Sequence, residues 1–159
     1  MEYKKKKILL ISSAGGHFAQ LMKLKPLFER YDYKILTEYV PSSESVKNGY
    51  NIEFLGNISK GRGAGMLMNM VKYSLQAIKE FIRNKPDVII TTGSYPAIPY
   101  CFIGKLFGIK VVYILSFARV KTKAKSADIL YKISDVFIVQ WKENLQSYPK
   151  GIYLGGGLY

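Results

Sequence analysis

The chain has 159 residues, an apolar fraction of 48% and a formal net charge of +13 at pH 7. This length fits one domain with a substantial core, and the charge favours anionic partners such as a membrane surface, nucleic acid, a phosphorylated substrate or an acidic protein. The single cysteine, Cys101, excludes an intramolecular disulfide, argues against a cysteine-based metal site and is expected to fill the core. No run of about 18 apolar residues occurs, so no membrane-spanning helix is expected.

The strands are predicted from short apolar runs that lack polar alternation, a pattern typical of parallel strands buried on both faces. In chain order they are Ile8–Ile11, Tyr33–Thr37, Ile52–Leu55, Val88–Thr91, Val111–Leu115, Val136–Val139 and Ile152–Leu154. The two central runs are far enough apart for a right-handed crossover helix, which needs a dozen or more residues.

Helices are predicted between these strands from their apolar periodicity. They cover Phe18–Phe28, Met66–Arg83, Ala97–Phe107 and Ala127–Ile133. Loops are predicted at Glu38–Asn51, Asn57–Gly65 and the basic segment Lys121–Lys125, and the glycines at 155–157 predict a flexible tail. The alternation of strands and helices predicts a single doubly wound, Rossmann-like α/β domain over residues 1–159, with a mainly parallel sheet.

Two of the predicted helices carry more apolar surface than a helix packed on a sheet needs. In Met66–Arg83, one stripe contains Leu67, Val71 and Leu75, and Met66, Met70, Tyr73, Ala77 and Phe81 widen it. Such a helix either packs on the sheet with methionine as filler or lies at a membrane interface, flanked by Lys72, Lys79 and Arg83. The helix from Ala97 is apolar nearly all round, which is consistent with burial or with contact to lipid.

The turn after the first strand, residues 12–17, contains Gly15, Gly16 and the only histidine, His17. A glycine pair between a strand and a helix lets backbone N–H groups approach an anion, although it serves equally well as a tight turn. It is not the dinucleotide-binding fingerprint, because the spacing differs and no acidic residue follows to hold a ribose. His17 is a candidate general base or hydrogen-bond donor, and a capping role is the alternative.

Two further polar loops follow strands that should be neighbours. Gly93 comes directly after one strand, and Ser116, Phe117 and Arg119 come after the next. Since ligands of open parallel sheets bind at the carboxyl ends of strands, both loops should open onto one crevice. The guanidinium of Arg119 suits a phosphate or diphosphate, whereas a solvated basic loop is the alternative interpretation. Trp141 offers a flat apolar surface to a partner or a ring.

The sequence contains no paired carboxylates, no metal-ligand cluster and no spacing typical of a nucleophile and its base. A self-sufficient hydrolase is therefore disfavoured, and no metal is expected. Binding of nucleic acid would depend on charge alone, because no motif of that class is present.

Four segments in register resemble one known family. They are residues 12–17, 85–93, 113–120 and 135–141. In order and spacing they resemble the oligosaccharide-biosynthesis proteins of the Alg14 type. That family includes the membrane-associated subunit of the eukaryotic enzyme that adds the second N-acetylglucosamine to dolichol-linked oligosaccharide, and bacterial capsule and exopolysaccharide counterparts.

The resemblance implies the N-terminal half of a split GT-B glycosyltransferase, similar to the first domain of MurG, which also has a Gly-Gly-His turn. It implies an accessory subunit at the cytoplasmic face of the membrane, with an anionic lipid surface and a lipid-diphosphate-linked sugar acceptor as ligands. The UDP-sugar donor would be bound mainly by a separate catalytic subunit, and this chain would need no cofactor and show little activity alone. Two such domains do not fit in 159 residues, which supports the same division independently.

The resemblance also assigns candidate residues. The acceptor or its diphosphate would be contacted by Gly15, Gly16, His17, Gly93, Ser94, Ser116 and Arg119, with His17 as the candidate catalytic residue. Gln140 and Trp141 would lie nearer the interface with the partner. One departure concerns Leu115, where the family usually has a glutamate, and residues 121–126 also diverge from the expected polar continuation. The alternative function is a stand-alone nucleotide-dependent Rossmann enzyme that uses the glycine turn.

Overall fold

The computed structural model describes residues 5–41, 44–55 and 64–155. Its sheet has seven strands, in the spatial order β3-β2-β1-β4-β5-β6-β7, and every neighbouring pair is parallel. The strands are β1 (Lys7–Ser12), β2 (Asp32–Glu38), β3 (Ile52–Leu55), β4 (Val88–Thr91), β5 (Lys110–Ile114), β6 (Val136–Val139) and β7 (Ile152–Tyr153). The predicted Rossmann-like fold with a parallel sheet is confirmed, and the strand boundaries agree with the sequence within one or two residues.

The core is divided by the sheet into two apolar clusters. Along β1, Leu9 and Ile11 belong to one cluster, whereas Ile8 and Leu10 belong to the other. This alternation follows from the pleat, which points successive side chains to opposite faces. Both faces of the strand are buried, which explains why its sequence is a continuous apolar run.

Six helices accompany the strands in the described residues: α1 (Gly16–Met22), α2 (Lys25–Arg30), α3 (Glu44–Lys47), α4 (Ala64–Asn84), α5 (Ala97–Leu106) and α6 (Lys125–Tyr131). A 3-10 helix at Lys142–Gln146 follows β6. The first predicted helix is wrong as one element, because the chain turns at Lys23 and Leu24 and restarts with Pro26 in the first turn of α2. The predicted loop at 38–51 contains α3.

Two helical layers cover the sheet. Residues from α1 and α2 pack in the cluster that contains Ile8 and Leu10, and residues from α4, α5 and α6 pack in the cluster that contains Leu9 and Ile11. Cys101 is fully buried in α5, and this burial raises the pKa of its thiol to about 12, as expected of a residue that fills the core. In the described part of the chain, no helix combines the length and the apolar character needed to cross a membrane.

Helix α4 has two apolar sides. Tyr73, Ala77 and Phe81 are buried against the sheet and α5, with the ring of Phe81 6.0 Å from the ring of Tyr100. The stripe that begins at Leu67 stays exposed. The sequence pattern merges these two sides into one broad face, whereas the structure separates a packed side from a solvent-facing side.

The exposed stripe of α4 lies beside exposed side chains at the end of α5. Helices α4 and α5 pack together, and the rings of Phe81 and Phe107 are 5.7 Å apart. We call the combined area the apolar helix surface; its members are 44–82% exposed and are Met66, Leu67, Met68, Val71, Leu75, Ile82, Phe102, Leu106 and Phe107. Exposed apolar side chains that are grouped on two packed helices, rather than scattered singly, are typical of a contact surface.

A charged cluster ties α5, β5 and the start of β6 together. The carboxylate of Asp135 accepts hydrogen bonds from Lys105 at 2.9 Å, from Lys110 at 3.3 Å and from the backbone N–H of Val111 at 2.8 Å. Partial burial by itself raises the pKa of Asp135, but these hydrogen bonds outweigh it and lower the pKa to about 2.

Two of the predicted segments, the basic loop around Lys60 and Arg62 and the glycine-rich end of the chain at 156–157, lie outside the described residues.

Candidate functional site

The candidate site lies where the order of the strands reverses. From β1 the chain proceeds outward to β2 and β3, and from β4 it proceeds in the opposite direction to β5, β6 and β7. Strands β1 and β4 are therefore hydrogen-bonded neighbours whose following loops separate to opposite sides. Such a switch point leaves a crevice at the carboxyl ends of the strands, where ligands of open α/β sheets bind.

The glycine turn after β1 forms one wall of this crevice. Gly15 has φ 80° and ψ −136°, a conformation that glycine adopts without strain, and it precedes the first residue of α1. No side chain caps this helix, and the first intrahelical hydrogen bond runs from Ala19 N–H to Gly15 O at 2.9 Å. A Cβ atom built on Gly15 or Gly16 would meet nothing within 4 Å, so the backbone here is open to a ligand.

His17 is fixed by a reciprocal pair of hydrogen bonds to Thr92. Its Nδ1 atom lies 2.8 Å from the backbone carbonyl oxygen of Thr92, and the Thr92 hydroxyl donates to the backbone carbonyl of His17 at 2.9 Å. Because a carbonyl only accepts, Nδ1 carries a proton, and in the neutral imidazole Nε2 is then the unprotonated atom. In the described residues Nε2 has no hydrogen-bond partner. The geometry leaves Nε2 free to accept a proton from a ligand.

The loop after β4 is held tightly against both neighbours. The backbone N–H of Ser13 donates to the hydroxyl of Ser94 at 2.8 Å, which joins this loop to the one after β1. Gly93 and Ser94 both have φ 99°, and a Cβ atom at Gly93 would lie 2.5 Å from the hydroxyl oxygen of Tyr113. Glycine is therefore required at 93, while Ser94 accepts a backbone strain that its hydrogen bond helps to hold.

The loop after β5 reaches the first helix through Gln20. The side-chain amide of Gln20 donates from Nε2 to the Ser116 hydroxyl at 3.1 Å, and its Oε1 accepts the backbone N–H of Phe117 at 3.2 Å. Ser116 is thereby joined to the helix that starts at the glycine turn. The loops after β4 and β5, which the sequence predicts to open onto one crevice, each contact the segment that follows β1.

Arg119 lies further out on the same loop. It is exposed, and its guanidinium donates to the hydroxyl of Thr122 at 3.2 Å. Its backbone carbonyl accepts a hydrogen bond from the side-chain amide of Asn144 at 3.0 Å. No hydrogen bond in the described chain joins Arg119 to Gly15, Gly16 or His17. The structure places these groups at the same edge of the sheet without direct contact.

The two residues predicted at a partner interface have different environments. Gln140 is only 2% exposed, so its side chain presents almost no surface to a partner. Trp141 is half-buried; its indole N–H donates to the backbone carbonyl of Phe117 at 2.8 Å, and the two rings are 4.7 Å apart. The side chain of Gln140 therefore does not suit the predicted interface, because the packing around the end of β6 buries it. Trp141 together with Phe117 retains an accessible aromatic surface.

Leu115, at the position where the resemblance described above implies a glutamate, is fully buried in the cluster shared with Leu9 and Val111. It lies one residue beyond β5, and the pleat directs it away from Ser116 and Gln20. In this chain the position belongs to the core, and no carboxylate reaches the crevice from it.

Reasoning from the sequence missed several residues of the site. Thr92 could have been found, because it is a polar residue that directly follows a strand. Gln20 and Asn144 carry no such signal, because their partners are 96 and 25 positions away in the sequence. Tyr113 is missed because it falls inside a predicted strand; burial is the largest cause that raises the pKa of its phenol well above the ordinary value, so its hydroxyl stays protonated.

The sequence matches a family model over most of its length. Residues 8–156 match the model described as "Oligosaccharide biosynthesis protein Alg14 like". The UDP-N-acetylglucosamine transferase subunit ALG14 of Homo sapiens is 40% identical over 79 residues, which are 46% of this chain and 37% of the human protein. The protein of the same name from Mus musculus is 26% identical over 94% of this chain and 82% of the mouse protein.

Solved structures resemble the chain over about half of their own length. MurG of Acinetobacter baumannii has a TM-score of 0.70 at 19% identity, and the match covers 87% of this chain and 42% of MurG. UDP-GlcNAc 2-epimerase of Methanocaldococcus jannaschii also has a TM-score of 0.70, at 16% identity, over 94% of this chain and 45% of the epimerase. At these identities the likeness shows a shared fold. The family match over 8–156, together with this fold and the geometry of the crevice, shows that the chain belongs to the Alg14-like family of oligosaccharide biosynthesis proteins.

Proposed function

We propose that this protein is the accessory subunit of a two-subunit UDP-sugar glycosyltransferase that acts in polysaccharide or lipid-linked oligosaccharide synthesis. It binds a lipid-diphosphate-linked sugar acceptor and recruits and activates a separate catalytic subunit that binds the donor. The observation that carries this proposal is the crevice between β1 and β4, where an open glycine turn and an oriented histidine meet in a chain of this family. The names of the relatives point to UDP-N-acetylglucosamine as the donor.

The division into two subunits is supported by the names of the relatives, which describe ALG14 as a transferase subunit. The chain shares its fold with 42% of MurG. We infer that the chain corresponds to one half of a split GT-B enzyme and that a partner supplies the other half. A bacterial capsule or exopolysaccharide pathway is the setting we propose for it.

The acceptor diphosphate is assigned to the polar edge of the crevice. Gly15 and Gly16 are exposed and no side chain covers them, and Ser94 and Ser116 hold the adjoining loops. Arg119 supplies an exposed guanidinium at the same edge. A planar guanidinium and unpaired backbone N–H groups both suit phosphate oxygens. Gly93 contributes by letting the β4 loop pass close to Tyr113.

His17 is the proposed catalytic residue. With the proton on Nδ1 donated to Thr92, Nε2 accepts the proton of the acceptor hydroxyl while that oxygen forms a bond to the anomeric carbon. The bond between this carbon and the diphosphate of the donor breaks, and UDP leaves in the pocket of the catalytic subunit. In this step the chain supplies the general base and positions the acceptor, and the partner subunit binds the donor.

The apolar helix surface is the proposed contact with the membrane. It is bordered on α4 by the exposed cations Lys72, Lys79 and Arg83. An apolar area with cations at its border suits the boundary between head groups and acyl chains, and each cation near anionic lipid contributes about 1 kcal/mol. We assign the protein to the cytoplasmic face, where it would lie on the membrane without crossing it.

The proposal is tested by a sugar-transfer assay on a synthetic lipid-diphosphate-sugar acceptor with a panel of UDP-sugars. The chain alone, the partner alone and the mixture are compared, and only the mixture is expected to be strongly active. His17→Ala in the mixture is expected to lower kcat by about 10²- to 10⁴-fold, the usual contribution of a general base. Arg119→Ala is expected to raise the KM for the acceptor.

Two results would contradict the proposal. Transfer by the chain alone would show that no second half is needed. Micromolar binding of a UDP-sugar or of NAD(P)H to the isolated chain would favour the stand-alone nucleotide-dependent enzyme instead. Gln146→Leu, an exposed substitution in the 3-10 helix, serves as the control for nonspecific loss of activity.

A further inference from the structure

The loop that carries Arg119 combines exposed side chains with a fixed backbone. We define the Arg119 loop as residues 116–120. Phe117, Arg119 and Val120 are exposed, whereas the backbone groups of the loop are hydrogen-bonded by three side chains from two separate elements, α1 and the 3-10 helix with its N-cap. A loop that served only as a connection would not need contacts of this kind, since water would satisfy its backbone groups.

Gln20 of α1 makes the contact on the side of the crevice. Both ends of its amide are used, as Nε2 donates to Ser116 Oγ and Oε1 accepts the backbone N–H of Phe117. Ser116 Oγ in turn accepts the backbone N–H of Ala118 at 3.4 Å. Gln20 lies three residues after His17, one helical turn along α1, and therefore moves with the glycine turn.

The other side of the loop is held by residues that follow β6. Trp141 donates to the carbonyl of Phe117 at 2.8 Å, and the Asn144 amide donates to the carbonyls of Arg119 and Val120 at 3.0 and 2.9 Å. Asn144 is itself buried. Trp141 and Asn144 attach the loop to the segment that follows β6. Gln20 attaches it to α1.

We propose that Gln20 is a positioning residue that fixes the Arg119 loop relative to the glycine turn, so that the two bind one diphosphate group as a unit. The proposal rests on the function proposed above and adds a specific role to it. Loops that are already ordered bind a ligand without the entropy cost of ordering them, and small displacements of positioning groups weaken binding strongly. In this arrangement Gln20 acts through the Arg119 loop and touches neither substrate.

The first test needs no activity. Hydrogen exchange of the Phe117 amide is measured by NMR in the isolated chain and in Gln20→Leu, which is expected to speed the exchange about tenfold because this N–H loses its acceptor. Gln20→Glu is expected to restore slow exchange, because a carboxylate still accepts this N–H and the Ser116 hydroxyl can donate to it. Gln146→Leu is the matched control and should leave the exchange unchanged.

The second test uses the two-subunit mixture. Gln20→Leu is expected to raise the KM for the lipid-diphosphate acceptor about tenfold with a smaller change in kcat. Unchanged exchange at Phe117 in Gln20→Leu, exchange in Gln20→Glu as fast as in Gln20→Leu, or an unchanged KM for the acceptor in Gln20→Leu would overturn the positioning role. An unsubstituted mixture that transfers no sugar would instead overturn the proposed function, whatever the exchange result.

Discussion

His17 and Thr92 are joined in both directions: the imidazole Nδ1 lies 2.8 Å from the Thr92 carbonyl oxygen, and the Thr92 hydroxyl donates to the His17 carbonyl at 2.9 Å. This pair connects the first turn of α1 to the residue directly after β4. The histidine is thereby held in one tautomer and one orientation, the state that a general base requires before its substrate arrives.

The neutral His17 ring is expected to carry its proton on Nδ1. The reason is the carbonyl acceptor beside that atom, which favours the tautomer that is less common in free histidine. Long-range ¹H–¹⁵N NMR at mildly alkaline pH distinguishes the two forms by the nitrogen shifts. A spectrum in which Nε2 carries the proton would contradict this geometry and remove the basis for His17 as the base.

Gly93→Ala is expected to destabilise the fold by about 1–3 kcal/mol. Gly93 has φ 99°, and an added Cβ would lie 2.5 Å from the Tyr113 hydroxyl oxygen. Urea unfolding measures the loss, and adding Tyr113→Phe should relieve part of it in a double-mutant cycle. Gly16→Ala is the control, since a Cβ there meets nothing within 4 Å and stability should change little.

Asp135→Asn is expected to lower stability by about 1 kcal/mol near neutral pH, the typical value of a lost hydrogen bond. Because the pKa of Asp135 is lowered from 3.8 to about 2, its contribution is complete above about pH 4 and is lost as the pH falls towards 2. The free energies of unfolding of the unsubstituted protein and of Asp135→Asn should therefore converge as the pH falls towards 2. Asp32→Asn, at an exposed position that starts β2, is the control; a constant difference for Asp135→Asn would contradict the assignment.

Leu75→Glu is expected to weaken binding to vesicles that contain anionic lipid by about tenfold or more. Leu75 is 56% exposed in the middle of the apolar helix surface, so the substitution does not disturb the core. It removes apolar contact with the membrane and places a negative charge on the protein, which the anionic lipid repels. Co-sedimentation with phosphatidylglycerol vesicles measures the effect. Ile129→Glu, an exposed apolar position on α6, should bind as the unsubstituted protein does, and equal loss in both variants would show that this surface has no special role.

Much of the fold was predictable because the strands are buried on both faces. Runs such as Ile8–Ile11 and Val136–Val139 leave no polar alternation to confuse the pattern, and residues 92–109, between β4 and β5, are long enough for a crossover helix. The break at Lys23 and Leu24 was not predictable from periodicity, since the apolar spacing continues across it. Pro26 is the local signal for it, as proline favours the first turn of a new helix.

The candidate site was predictable in its location and less so in its contacts. Gly15, Gly93 and Ser116 each follow a strand, so their meeting at one edge follows from parallel topology. The sequence did not indicate which side of α4 would be exposed. Tyr73 and Leu67 are both apolar, and only packing against the sheet distinguishes them. Gln140 shows the same limit, because a polar residue at a strand end carries no sign that packing will bury it.

The hydrogen bonds that close the crevice join residues 75, 81 and 96 positions apart in the chain. None of them can form until β1, β4 and β5 lie side by side, so the site exists only in the assembled sheet and is lost when the sheet opens. Any molecule that fills the crevice consequently favours the complete sheet over every partly folded state. A ligand bound there should therefore slow global unfolding, and the protection should extend to amides in the centre of β1 and β4 that the ligand does not touch.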